Sequence, residues 1–227
     1  MDLVYSIKRS DKRRKLTITV ERDRRVVVHA PASASDEAIR KLVDSKRQWI
    51  YEKLGHPQKY HELPHPPGKE VVNGESALYL GRQYRIEIAK SGLTEVQFAQ
   101  RFLVPAAQGD KRTEVLREWY IGKAKEIIPP RVKEHARSLG VEMAEVKIGD
   151  FRYRWGSCTV KDNIHLNWRL IKAPMYVIDY IIVHELAHLM ESNHTPRFWN
   201  IVRANCPSTT KAKNWLQKNG QLLEEEI

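Results

Sequence analysis

Cysteine is nearly absent from this chain. Cys158 and Cys206 are the only two in 227 residues. A framework of several disulfides is therefore excluded, and two reduced thiols are expected, with a single Cys158–Cys206 bridge as the alternative. No run of about 18 or more apolar residues occurs, so no membrane-spanning helix is expected. The segment Met1–Ser10 lacks the apolar core of a secretory signal, and the expected location is cytoplasmic. No internal repeat is visible, which argues against a solenoid or propeller. No recognisable nucleic-acid-binding motif and no aromatic stacking signature stand out. The sequence leaves the oligomeric state open. What remains is a chain long enough for one large domain, or one domain with an added lobe.

Positive charge is abundant and unevenly placed. The formal net charge is +11, and residues 1–60 hold 15 Lys/Arg against 8 Asp/Glu. Lys12-Arg13-Arg14-Lys15 and Arg22, Arg24 and Arg25 are the densest groups. They flank an expected hairpin, Leu16–Val20 and Val26–Ala30, with its turn near Arg22–Arg24. A basic hairpin of this kind can meet DNA or another polyanion, or can serve only as a solvated surface. DNA is thus a candidate partner of the amino-terminal lobe. Trp49 and Tyr51 read as residues of a helix core rather than as base platforms.

Periodicity organises the rest. Ser35-Asp36-Glu37 opens a helix expected to reach Leu54, with Ile39, Leu42, Val43, Trp49 and Ile50 inward. A segment rich in Pro and His, 56–69, reads as a connecting loop. Strand signals follow at Glu70–Val72, Ala77–Leu80, Gln83–Ile88, Glu95–Ala99 and Arg101–Val104. Residues 1–105 therefore read as a mostly β lobe with one helix, and residues 106–227 as a second, mixed domain. In that domain a helix is expected from Lys111 to Ile128. Pro129-Pro130 should break or kink it, and a second helix should run to Leu139 with Gly140 as its stop. Strands are expected at Val146–Arg154 and Ile164–Ile171.

The chemistry concentrates at His184-Glu185-Leu186-Ala187-His188, inside the apolar run Tyr180–Met190. On a helix, residues four apart lie on one face. His184 and His188 can therefore offer two imidazoles to one metal ion, with Glu185 placed to take a proton from water. Two His and a Glu are costly in a buried helix unless paired or ligated. Pro174 suits the first turn, and the helix should end near Met190. His194 is the expected third ligand. In a continuing helix it would be rotated by about 240° from His188, so the chain must turn, with Asn193 able to adopt a left-handed conformation. Thr195-Pro196 reads as an N-cap and first position of another helix, Pro196–Asn205. Glu191 is a rival ligand better placed to shape the turn, and Glu224, Glu225 and Glu226 are distant candidates. Cys158 reads as a small buried thiol, with a soft metal ligand as the alternative. The spacing of the three histidines matches that of metzincins, but Glu191 stands where they carry Gly, and no Met follows Met190 to form a Met-turn.

The strand before this helix alternates. Ile164, Leu166, Trp168 and Leu170 share one face, and His165, Asn167 and Arg169 the other. At a sheet edge such a strand could pair with an extended substrate. Arg152, Arg154, Arg169 and Arg197 lie near these motifs and could hold a negatively charged one. Candidate substrate-binding residues are accordingly Arg154, His165, Asn167, Arg169 and Arg197.

Together, Arg154-Trp155-Gly156-Ser157-Cys158, Ile164–Asn167, Pro174, Asp179-Tyr180, His184–His188 and Asn193–Trp199 resemble the YgjP-like family of zinc metallopeptidases. That family looks related to SprT-like and WLM proteases. The specific resemblance covers roughly residues 110–205, and the amino-terminal lobe fits more loosely through Tyr79–Tyr84. It implies an α+β fold with a zincin-like core, its metal helix packed under a small sheet. It also implies Zn2+ at His184, His188 and His194 with Glu185 as general base. The expected substrate is a peptide or protein. Nucleoside triphosphates are the alternative, because some members of the family are described as nucleotide pyrophosphatases. A protease acting on DNA-associated protein is a third reading.

Overall fold

The computed structural model describes residues 3–21, 24–54, 70–89, 92–151 and 154–224. Arg22, the His/Pro-rich segment 56–69, Arg152, Glu225 and Glu226 lie outside the described residues. The fold is mixed α+β, and the chain divides into two compact units, 1–65 and 66–227. No described helix is long and apolar enough to cross a membrane.

The first unit pairs β2 (Thr17–Val20) antiparallel to β3 (Val26–Pro31), the expected hairpin. A further strand, β1 (Ser6–Ser10), adds parallel to β3. Its sequence, SIKRS, has no apolar alternation, because all but its last residue are exposed. The expected single helix is two, α1 (Asp36–Ser45) and α2 (Arg47–Leu54). Ser35 caps α1 by accepting from Ala38 N–H. Ile39, Val43 and Ile50 pack with Val20, Val26, Val28 and Ala30 to form this unit's core. Trp49 and Tyr51 are not in that core but exposed, at 38% and 45%. The break at Lys46 restarts the helical phase, so the stripe that buries Ile50 carries Trp49 outward.

The second unit holds the remaining elements around one core. Four strands, β4 (Ser76–Tyr79), β5 (Arg82–Ala89), β6 (Gln97–Phe98) and β7 (Phe102–Pro105), form a sheet of order β4-β5-β7-β6. Their core residues Tyr79, Ile86 and Phe102 cluster with Leu116 and Tyr120 of α3 (Arg112–Leu139). Tyr120 O–H also donates to Leu78 C=O at 2.9 Å. The boundary expected at residue 105 therefore falls inside a shared core, and the compact units divide near residue 65 instead.

The α3 helix runs unbroken through Pro129 and Pro130. Two prolines remove two intrahelical bonds, and their would-be acceptors belong to Lys125 and Glu126, which are exposed and open to water. On the opposite face Leu116, Tyr120, Ala124, Ile128, Val132 and Ala136 form a continuous buried stripe at four-residue spacing. Each large apolar side chain buried there contributes roughly 1.5–3 kcal/mol, enough to hold the helix together across the gap. Gly140 closes it in the left-handed region at φ 68°.

A second small sheet has order β8-β10-β9, with β8 (Glu145–Gly149), β9 (Gly156–Cys158) and β10 (Asn163–Asn167). A 3-10 turn, Trp168–Lys172, leads into α4 (Met175–Ala187). Two further helices follow, α5 (Pro196–Asn205) and α6 (Thr209–Glu224). The start of α4 is fixed by the β4–β5 turn. Leu80 and Gly81 N–H donate to Ile171 and Lys172 carbonyls, and a Cβ on Gly81 would lie 2.4 Å from Pro174 Cγ. Only a glycine fits there, at φ 81°.

Candidate metal centre

The α4 helix is buried on nearly all sides, from Val177 to Ala187. It ends earlier than expected, at Ala187, with His188 as its C-cap still in the right-handed helical region. Leu189 and Met190 N–H bond back to Leu186 and Ala187 carbonyls, tightening the end into a 3-10 turn. The chain then reverses without a left-handed residue at Asn193. The turn is closed instead by Thr195 N–H donating to Asn193 C=O at 2.7 Å. Thr195 caps α5 through Phe198 N–H, and Pro196 takes the first helical position.

This corner brings His184, His188 and His194 together, with one ligand atom from each lying within 4.8 Å of the others. His184 Nε2 and His194 Nε2 are 3.0 Å apart. Two nitrogens bound to one tetrahedral zinc lie about 3.3 Å apart, given bonds of about 2.0–2.1 Å. The donor set therefore fits such an ion. Burial, with the neighbouring His188, His194 and Lys213, pushes the pKa of His184 down to about 3. Burial also lowers that of His188. Both rings are thus neutral, as ligation requires. His188 Nδ1 donates to Glu191 C=O at 3.3 Å, which aims Nε2 at the cluster. Glu191 thus contributes its backbone, while its carboxylate stands outside the group. Phe198, fully buried, and Trp199 wall the cluster, with Trp199 stacked on His194 at 5.6 Å.

Glu185 is 7% exposed, and burial pushes its carboxyl up to about 7, opposed by a hydrogen bond from Cys158 N–H and the charge of Arg154. It lies directly on the backbone of β9. A Cβ on Gly156 would sit 2.7 Å from Glu185 Cγ and 2.8 Å from Oε1. The sequence reading placed Gly156 in a motif but assigned it no role, although a glycine can mark close approach of another group. Cys158 is not among the clustered ligands. Its thiol pKa is raised by burial and by Asp162 and Glu185, and its Sγ faces Thr159 C=O at 3.7 Å.

The expected substrate face is mostly put to other use. The strand ends at Asn167 and is central, paired with β8 on one side and β9 on the other, so it is not an edge. Asn167 is 2% exposed. Its side-chain amide donates to Phe151 and Arg154 carbonyls, and its Oδ1 accepts from Arg169 N–H. It pins a loop to the sheet. His165 stacks on Phe151, with ring planes 3° apart. Arg169 is ion-paired with Asp150, which Arg117 also holds, and it lies over the Trp168 ring. Arg197 is exposed in the first turn of α5. Arg154 is exposed, and its charge is felt at Glu185. Only Arg154 of the five is thus linked to the cluster.

β9, like β8, is an outer strand of this sheet. Asn167 N–H donates to Trp155 C=O, and Thr159 N–H donates to Asn163 C=O. In antiparallel alternation the intervening Gly156 and Cys158 direct their N–H and C=O groups away from β10.

A family model described as YgjP-like, metallopeptidase domain, matches residues 14–219. Among solved structures the chain is similar to the metallopeptidase zymogen jannalysin of Methanocaldococcus jannaschii, at 26% identity. That match covers 40% of this chain and 95% of that one, with a TM-score of 0.35. It is also similar to the zymogen abylysin of Pyrococcus abyssi, at 22% identity, covering 44% of this chain and 99% of that one, with a TM-score of 0.38. No curated protein matches.

Proposed function

The chain belongs to the YgjP-like metallopeptidase family, and on that premise we propose that it is a zinc-dependent peptidase with Glu185 as general base. The observation that carries this reading is the cluster of three imidazoles beside a carboxylate held on the backbone of an outer strand. His184, His188 and His194 would hold the ion. Bound zinc would supply Lewis acidity. Glu185, fixed by Gly156 and by Cys158 N–H, takes the proton from the attacking water and passes it to the departing amine. Neutral His184 and His188 keep their lone pairs for ligation. Cys158 N–H is occupied by Glu185, so Gly156 and the Cys158 carbonyl remain to pair with an extended peptide.

Glu185→Gln should retain zinc and fold while lowering turnover of an unfolded protein by about 10²–10⁴-fold. Wild-type turnover in that variant would remove Glu185 from the base role. A second reading keeps the site and changes the substrate to a nucleoside triphosphate, favoured by the cations Arg154 and Lys213 near it. Phosphate or pyrophosphate release from the four ribonucleotides, lost in Glu185→Gln and accompanied by no peptide cleavage, would establish that reading instead.

A further inference from the structure

Two cations beside the metal centre have no carboxylate partner among the described residues. Lys213, on α6, places its ammonium 4.5 Å from the centroid of the Trp199 ring, the ring stacked on His194. Arg154, just before β9, places its guanidinium 5.0 Å from the centroid of the Phe151 ring, which stacks on His165. Both residues are exposed. Other arginines of the same unit are neutralised: Arg117 and Arg169 by Asp150, Arg131 by Asp179. The contrast matters, because a metal centre is already positive and cations beside it repel both the ion and one another. An aromatic ring orders a cation by attraction to its face without cancelling its charge. Lys213 thus reaches the ring that stacks on His194, and Arg154 lies two residues before Gly156, on whose backbone Glu185 rests.

We propose that Arg154 and Lys213 are specificity residues that select peptides carrying a carboxylate beside the scissile bond, either an acidic side chain or the free carboxyl terminus. The inference rests on the peptidase reading. A peptide is favoured over a triphosphate because the two cations come from separate elements, the β8–β9 connection and α6, beside an outer strand of the sheet. The sequence also has no glycine-rich phosphate loop of the P-loop type.

The test uses the full zinc-loaded chain and matched fluorogenic peptides with Glu, Gln or Lys scanned through the positions flanking the cleaved bond. Each is made with a free and an amidated carboxyl terminus, and products are identified by mass spectrometry. The expected kcat/KM for the best Glu peptide exceeds that of its Gln counterpart about tenfold, and the Lys peptide ranks last. A Glu-over-Gln preference that survives amidation assigns the contact to a side-chain carboxylate, and a loss of kcat/KM on amidation whatever the side chain assigns it to the terminus. Lys213→Glu or Arg154→Glu should invert the order towards Lys. Should a reversal variant fail to fold or to hold zinc, Lys213→Met and Arg154→Met should bring the Glu-to-Gln ratio towards one. Equal kcat/KM for Glu, Gln and Lys peptides that amidation also leaves unchanged, or a preference that both pairs of variants leave intact, overturns the inference while the peptidase reading stands. Failure to cleave any peptide or unfolded protein overturns that reading and this one with it.

Discussion

Gly156→Ala adds one methyl group against the carboxylate of Glu185. Its Cβ would lie 2.7 Å from Cγ, 2.8 Å from Oε1 and 2.9 Å from Cδ. Relaxed contacts between carbon atoms fall at about 3.5–4.0 Å, so either Glu185 or β9 must retreat by about 1 Å. Overpacking of this kind costs about 1–3 kcal/mol, or a Tm loss of about 2–4 °C per kcal/mol at this size. The larger consequence is kinetic. A shift of about 1 Å in a reacting group costs on the order of 100-fold in rate. None of the ring contacts that assemble His184, His188 and His194 involves Gly156, so zinc content should not fall. The assay combines kcat/KM on a cleaved peptide, zinc by elemental analysis and thermal unfolding. In a Glu185→Gln background the same methyl should cost nothing further in rate, because the two changes act through one carboxylate. Wild-type kcat/KM in Gly156→Ala would refute the positioning role. Loss of zinc in step with activity would show that the methyl disrupts the whole centre.

His194→Ala should sharply weaken zinc binding in a chelator competition, and zinc content equal to wild type would remove His194 from the ligand set. Asp179, on α4, accepts from Arg131 at 2.7 and 2.8 Å and from His135 at 3.3 Å. Against the upward push of burial, those hydrogen bonds and charges hold its carboxyl below the ordinary range. A depressed carboxylate contributes stability that is present above its unfolded pKa of about 3.9 and is lost as pH falls through the folded value. Asp179→Asn should therefore cost about 1–3 kcal/mol near neutral pH, and urea unfolding should show the gap to wild type closing below about pH 4. Lys12, Arg13, Arg14 and Lys15 are all exposed between β1 and β2. If they hold phosphates, DNA binding measured by anisotropy should fall steeply with salt, and their joint replacement by Ala should weaken all DNA sequences alike. Absence of wild-type binding at low salt would end that reading.

Local rules in the sequence determined much of the centre. Four-residue spacing places His184 and His188 on one helical face whatever surrounds the helix, and Thr195-Pro196 starts a helix wherever it occurs. The Gly140 stop and the β2–β3 hairpin are likewise local, set by backbone geometry over a few residues. Tertiary structure decided what depends on distant partners. The alternation of the strand Asn163–Asn167 leaves open whether it is an edge, and two neighbours claim it, because pairing is chosen by other segments. Pro129-Pro130 reads as a break, yet the buried stripe on either side holds one helix. Trp49 reads as core until the break at Lys46 rotates it outward. Gly156 and Glu185 are separated by β10, the 3-10 turn and most of α4, and nothing in their spacing predicts that one methyl group would separate a carboxylate from its place. Lys213 carries no sequence signal at all, since a lysine on an exposed helical face is ordinary until Trp199 and His194 are brought beside it. Periodicity fixes which face a side chain takes, but only the packed chain decides what that face meets.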